Sequence, residues 1–87
     1  MEKKFQQSID KLKAQLENID QNNTEVRNEM RQLIDDLEHH AAHPDDQEHL
    51  EKLNGKVPQL IAKFELEHPK LAETLNEIMV ILSNMGI

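Results

Sequence analysis

The chain has 87 residues, no cysteine and a formal net charge of −7. The lack of cysteine excludes disulfides and thiolate metal sites. The acidic balance argues against direct nucleic-acid binding, which relies on lysine and arginine to neutralise phosphates. Only two glycines, three prolines and two phenylalanines are present, without tyrosine or tryptophan, and this composition favours helices over many short strands.

The first predicted helix covers residues 2–19. Its apolar residues recur at intervals of four and three, which gives the narrow a/d stripe of coiled-coil-like packing. The members of this stripe are Phe5, Ile9, Leu12, Leu16 and Ile19. The polar residues 20–23 follow, and their side chains compete for backbone hydrogen bonds, which predicts a turn.

The second predicted helix covers residues 24–41, with Asn23 or Thr24 as its N-cap. Its stripe continues the same spacing and is formed by Val26, Met30, Leu33, Ile34 and Leu37. Because a connection of about four residues favours antiparallel neighbours, residues 1–41 are predicted to form a helical hairpin.

Residues 42–56 are predicted to form a connection rich in His and Asp that contains a short helix. This helix would begin at Pro44 or Asp45 and end at Gly55 in the left-handed conformation. A second short helix would begin at Pro58. It would carry the apolar residues Val57, Leu60, Ile61 and Phe64.

The C-terminal helix is predicted to begin at Pro69, because proline suits the first helical position. It would run to about Asn84, with Gly86 as a stop. Apolar residues recur along it every three or four positions and cover an arc of about 180°, more than an ordinary surface helix carries. We expect part of this surface to contact a second copy of the chain. The candidate association surface is Met79, Val80 and Ile81.

Together these elements predict an all-α fold, a small helical bundle. It would consist of the antiparallel hairpin, one or two short helices and a buried C-terminal helix. Residues 1–87 would form one domain, with the short helix and C-terminal helix in residues 57–87. A domain of this size buries only about 60–65% of its unfolded surface, so a second copy is a common supplement to the core.

Four histidines in and beside the connection are candidate metal ligands: His39, His40, His43 and His49. Imidazole and carboxylate groups bind zinc, nickel or copper well. However, the spacing of these histidines and of Asp45 and Asp46 fits no established motif. A solvated surface connection is therefore the default interpretation, and weak metal binding is the alternative.

The acidic residues suggest a partner more readily than a reaction. Neighbouring acids such as Asp35 and Asp36 point to different helix faces and do not by themselves form a dyad. Residues 35–51 could instead contact a basic protein. The stretch from Glu65 to His68 offers a carboxylate beside an imidazole, but no nucleophile or oxyanion donor accompanies it. We therefore predict no enzyme, no catalytic residue and no cofactor.

The C-terminal third resembles a family of short bacterial proteins classed only as a domain of unknown function. The resemblance is carried by Phe64-Glu65, His68-Pro69, Leu71, Leu75, Ile78, Leu82 and the ending Gly86-Ile87. It implies an all-helical bacterial protein of the cytoplasm and brings no activity.

The sequence therefore predicts a non-enzymatic helical interaction module that forms homodimers. The alternatives are an acidic regulator that binds a basic protein through residues 35–51, and a weak metal binder. We expect a cytoplasmic protein, because no stretch approaches the roughly 20 apolar residues that span a bilayer. The N-terminus also lacks the apolar core of a signal peptide.

Overall fold

The computed structural model describes residues 2–85, and the side chains of residues 3–84. Four helices account for most of this part of the chain, and no strand occurs within it. They are α1 (Glu2–Glu17), α2 (Thr24–Ala42), α3 (Gln47–Phe64) and α4 (Pro69–Met85). The predicted all-α fold is confirmed. The predicted stop at Gly86 lies outside the described residues.

The helices form an elongated bundle of 37 × 20 × 19 Å. Each helix packs on two others: α1 on α2 and α4, and α3 on α4 and α2. The α3–α4 contact is the most extensive and the α2–α3 contact the sparsest. Short connections of this kind join antiparallel neighbours. One end of the bundle therefore holds the α2–α3 connection, and the other end holds the α1–α2 and α3–α4 connections.

The α1–α2 hairpin confirms the prediction, although α1 ends at Glu17 and not at residue 19. After Glu17 the hydrogen bonding changes to the 3₁₀ type, because the amides of Asn18 and Ile19 donate to carbonyl oxygens three residues earlier in the chain. Arg27 on α2 donates to the carbonyl oxygens of Leu16 and Ile19 at 3.1 and 3.0 Å. Because Leu16 is in the last turn of α1 and Ile19 lies beyond it, these bonds connect α2 to the end of α1 and to the turn that follows.

The sequence predicted one or two short helices between the hairpin and the C-terminal helix, with breaks at Gly55 and Pro58, and these breaks are wrong. A single helix, α3, runs through both expected breaks, with Pro58 inside it. Gly55 has no positive φ and closes no helix. Proline inside a helix costs about 3 kcal/mol. Burial of five apolar side chains, at roughly 1.5–3 kcal/mol each, exceeds that cost. These side chains are Leu50, Leu53, Val57, Leu60 and Phe64.

The C-terminal helix begins at Pro69 as predicted, and the chain itself covers most of its apolar surface. Leu71 is 4% exposed, and Leu75, Ile78 and Leu82 are fully buried. The cover differs from the expected one, because α4 packs on α3 and α1 and not on the α1–α2 hairpin as a whole. Within the described residues, only Leu66 and Val80 are large apolar residues with high exposure.

Candidate functional site

The α2–α3 end of the bundle brings most of the candidate histidines together. Helix α2 ends where His43, which precedes Pro44, leaves helical geometry and donates its amide to the His39 carbonyl. Helix α3 begins after Asp46, whose carboxylate accepts the His49 amide at 3.1 Å. Only residues 43–46 separate the two helices. The last turn of α2 and the first turn of α3 therefore lie side by side.

Three of the candidate imidazoles form what we call the histidine cluster: His39, His43 and His49. The ring centroids of His39 and His43 are 4.7 Å apart, and those of His39 and His49 are 4.4 Å apart. Two carboxylates lie close to the histidine cluster. His39 Nε2 lies 3.3 Å from Asp46 Oδ2, and His49 Nε2 lies 3.6 Å from Asp36 Oδ1.

Asp46 links the cap of α3 to the histidine cluster. The pKa of this carboxyl group is held below its usual value, first by the hydrogen bond from the His49 amide and then by the His39 side chain. Both interactions favour the charged form of the carboxyl group. An ionised Asp46 thus contributes to the start of α3 and also offers a partner for a protonated His39.

The fourth candidate, His40, is not part of this surface cluster, which corrects the grouping from the sequence. Its side chain is 1% exposed and lies edge-on to the Phe5 ring of α1, with a centroid distance of 5.8 Å. Neither ring nitrogen has a hydrogen-bond partner. Burial is the main cause that lowers the pKa of His40 below its usual value. The spacing of Leu33, Leu37 and His40 along the buried stripe is the signal that could have revealed this position.

No group of three or more His, Asp or Glu side chains within residues 2–85 is arranged to hold a metal ion. The rings of the histidine cluster are tilted against one another, by 39° for His39 and His43 and by 54° for His39 and His49, and Asp36 and Asp46 lie beside them. The neighbouring acids Asp35 and Asp36 lie in different environments, as expected for adjacent residues of a helix. Asp36 also lies 3.5 Å from Lys56 Nζ on α3, whereas Asp35 is exposed.

The residues of the predicted association surface lie in two different environments. Val80 is 51% exposed, whereas Met79 and Ile81 are half-buried and pack against the core. Val80 and Ile81 line a shallow groove of about 480 Å³ between α1 and α4, which we call the α1–α4 groove. Its other lining residues are Lys4, Gln7, Ser8, Lys11, Asn76 and Glu77. The contribution of α1 was not predicted, because sequence spacing does not show which helices become neighbours.

The acidic stretch 35–51 is partly neutralised within the chain. Asp36 and Asp46 take part in the contacts described above, and Glu38 Oε2 accepts from Lys13 Nζ at 3.0 Å. Four exposed acids of this stretch have no ion pair among the described residues: Asp35, Asp45, Glu48 and Glu51.

The carboxylate–imidazole candidate near the α3–α4 connection shows no catalytic arrangement. His68 lies edge-on to the Phe64 ring at 6.0 Å, and its carbonyl accepts the Ala72 amide at the start of α4. No hydrogen bond or ion pair in the described part of the chain joins the His68 ring to Glu65 or Glu67. His68 thus packs the junction between the two helices.

The family of the chain follows from comparison with known proteins. A family model described as "Domain of unknown function (DUF4404)" matches residues 5–87. The chain belongs to this family. The match covers α2, α3 and α4 of this DUF4404 protein and α1 from Phe5 onward, and it agrees with the resemblance of its C-terminal third. No curated protein and no solved structure matches the chain.

Hydropathy adds one further finding on this member of the family. Among residues 2–85, none of the helices combines the length and the apolar character that crossing a membrane requires. Even α4, which has the highest apolar content of the four, carries polar residues such as Glu73, Asn76 and Glu77 on its exposed side.

Proposed function

We propose that this protein is a non-enzymatic interaction module of the cytoplasm that forms a homodimer through the α1–α4 groove. The observation that carries the proposal is Val80, which is 51% exposed on an otherwise polar helix face and lines a groove between two helices. An exposed apolar residue in a groove with a polar rim is typical of a contact surface.

Charge favours a second copy as the occupant of this groove. Its α1 edge carries Lys4 and Lys11, and its α4 edge carries Glu77. In a two-fold dimer whose axis runs along the helices, the same patch contacts itself, and the lysine edge of one copy faces the glutamate edge of the other. Two chains of net charge −7 repel each other elsewhere. The basic edge of α1 is therefore a favourable place for close approach.

The proposed dimer is optional for folding. The accessible surface of the chain is 5713 Å². A folded monomer of this mass has an accessible surface of roughly 5300 Å², so the core is already about as well covered as in an ordinary monomer. A specific interface needs about 600–800 Å² from each copy. We therefore expect an equilibrium between monomer and dimer that depends on concentration.

The test is sedimentation equilibrium of untagged protein over a wide concentration range, with Val80→Glu as the variant. We expect the wild type to dimerise and Val80→Glu to weaken the dimer about 10- to 150-fold. A symmetric dimer buries two Val80 side chains, each already half-buried in the monomer, and full burial of one such side chain contributes roughly 1.5–3 kcal/mol. Ile81→Asp is a poorer variant, because Ile81 packs against the core.

Leu66→Glu is the matched control, because Leu66 is 89% exposed in the α3–α4 connection, outside the groove. This control should dimerise like the wild type, and both variants should keep the helical circular dichroism. A wild type that remains monomeric at all concentrations, or equal effects of the two variants, would contradict the proposal.

A basic protein is the second candidate partner. The four acids without an ion pair named above, among them Asp45 and Glu48, support it because their charge is available for electrostatic steering. Binding of this kind weakens as salt rises. Capture of a basic partner at low salt that is lost at high salt, and lost in Asp45→Asn/Glu48→Gln, would support this candidate. Capture that does not depend on salt would contradict it.

A further inference from the structure

The two ends of the bundle carry the same aromatic pair in different settings. Phe5 and His40 meet edge-on at 5.8 Å near the α2–α3 connection, and Phe64 and His68 meet edge-on at 6.0 Å at the opposite end. His40 is 1% exposed, and both of its ring nitrogens lack hydrogen-bond partners, whereas His68 is only partly buried. A proton on His40 would therefore create a buried charge without a partner, which is costly.

The groups around His40 add to this cost. His49 on α3 and His39 on α2 oppose a positive charge on His40, and the N-cap carboxylate of Asp46 favours it. The neighbouring helix α1 presents the Phe5 ring.

We propose that His40 is an acid-sensitive latch at this end of the bundle. As a neutral ring it holds the last turn of α2 against Phe5. When a ring nitrogen takes a proton from water, the imidazolium must reach water to be solvated. Helix α2 ends at Ala42, only two residues further on. Release of this turn and of residues 43–46 is therefore the shortest route to water, and it uncovers Phe5.

The direction of the pH dependence follows from proton linkage. In the open state the His40 ring is solvated and has a pKa near the ordinary value of about 6.5. In the closed state burial holds the pKa of His40 lower. Between these two values the open state binds more protons, so falling pH favours opening by about tenfold for each unit that separates them. Below the pKa of the closed state the effect levels off.

The test is amide hydrogen exchange of the full chain at about pH 7.5 and pH 5.5, corrected for the intrinsic exchange rate. We expect protection of residues 37–46 to fall by up to about tenfold at the lower pH. Residues at the opposite end, 64–75, should keep their protection. The measurement is made on dilute, monomeric protein, so its outcome does not depend on the proposed dimer.

Two variants distinguish the latch from general acid destabilisation. His40→Leu should keep its protection at the lower pH, because no proton binds at this site. His68→Leu removes the matched histidine at the other end and should respond to acid like the wild type. An equal loss of protection in His40→Leu, or no local loss in the wild type, would overturn the proposal.

A third variant tests the contribution of the histidine cluster. It also tests the proposal if His40→Leu does not fold. His39→Asn/His49→Asn removes two groups that oppose a charge on His40 in the closed state, so the pKa of His40 in that state should rise toward the open-state value. The loss of protection on acidification should then be smaller than in the wild type and should level off at a higher pH, which a pH series of the same exchange measurement detects. An equal or larger loss of protection would contradict the proposal.

Discussion

A single substitution at Gly55 is expected to stabilise the protein. This glycine lies inside α3, its φ is not positive, and a Cβ at this position would meet no atom within 4 Å apart from its chain neighbours and the nearby backbone of α3. Glycine in a helix interior is less favourable than alanine by roughly 0.5–1 kcal/mol. We therefore expect Gly55→Ala to raise the melting temperature by about 2–8 °C, measured by circular dichroism.

The reverse substitution in the same helix serves as the control for Gly55→Ala. Ala62 is exposed on α3, so Ala62→Gly should lower the melting temperature without loss of contacts. A lower melting temperature of Gly55→Ala would contradict the expectation. That result would mean that α3 needs the freedom of glycine one turn before Pro58.

His40 shows what residue-level reasoning could and could not reach in the candidate site. Sequence neighbourhood placed it with His39 and His43, because an imidazole in a polar stretch is read as a surface group. Helical spacing gives the correct answer, since His40 follows Leu37 by three positions on the buried stripe of α2. The ring distances show that His39, His43 and His49 lie together, which the sequence did not predict.

At the level of elements, local signals located three of the four helices well. The polar turn and the Asn23 cap defined the start of α2, and Pro69 defined the start of α4. These signals work because the cap or the proline acts on its own backbone. The end of α1 was predicted two residues too late, because Ile19 is buried although it lies beyond the helix.

Helix α3 shows where local rules fail. Gly55 and Pro58 both indicate a break, and each does weaken a helix. Yet the apolar spacing of Leu53, Val57 and Leu60 continues through them, and all three side chains are buried. Pro58 and Asn54, whose carbonyl loses its helical partner, are exposed on the other face, where water can bond to that carbonyl. Tertiary burial therefore outweighs the local preference for a break.

At the scale of the whole molecule, the sequence pattern did not predict which helices pack against one another. The excess apolar surface of α4 is covered by α3 and α1 of the same chain, so it does not require a second copy. Periodicity reveals how much of a helix is apolar, but not which neighbours cover it. Ion pairs also join different helices, such as Lys13 to Glu38 and Lys63 to Glu25 and Glu29. Exposed pairs of this kind contribute little individually.

The proposed two-fold dimer makes a prediction that depends on the whole assembly. Lys11→Glu alone, or Glu77→Lys alone, should weaken self-association about 2- to 30-fold, because each creates two like-charge contacts across the symmetric interface. An equimolar mixture of the two variants should associate again. In the mixed dimer, each new charge faces an opposite charge on the other copy.

Sedimentation equilibrium of each variant and of the mixture measures this rescue. Within one chain Lys11 and Glu77 are 3.7 Å apart, so each single variant also loses a weak intramolecular pair. That loss is the same in the mixture and cannot produce the rescue. Lys13→Glu is the control, because Lys13 pairs with Glu38 on α2, outside the groove. The rescue should fade at high salt, where exposed charges are screened. A mixture that associates no better than either variant alone would mean that α1 of one copy does not face α4 of the other.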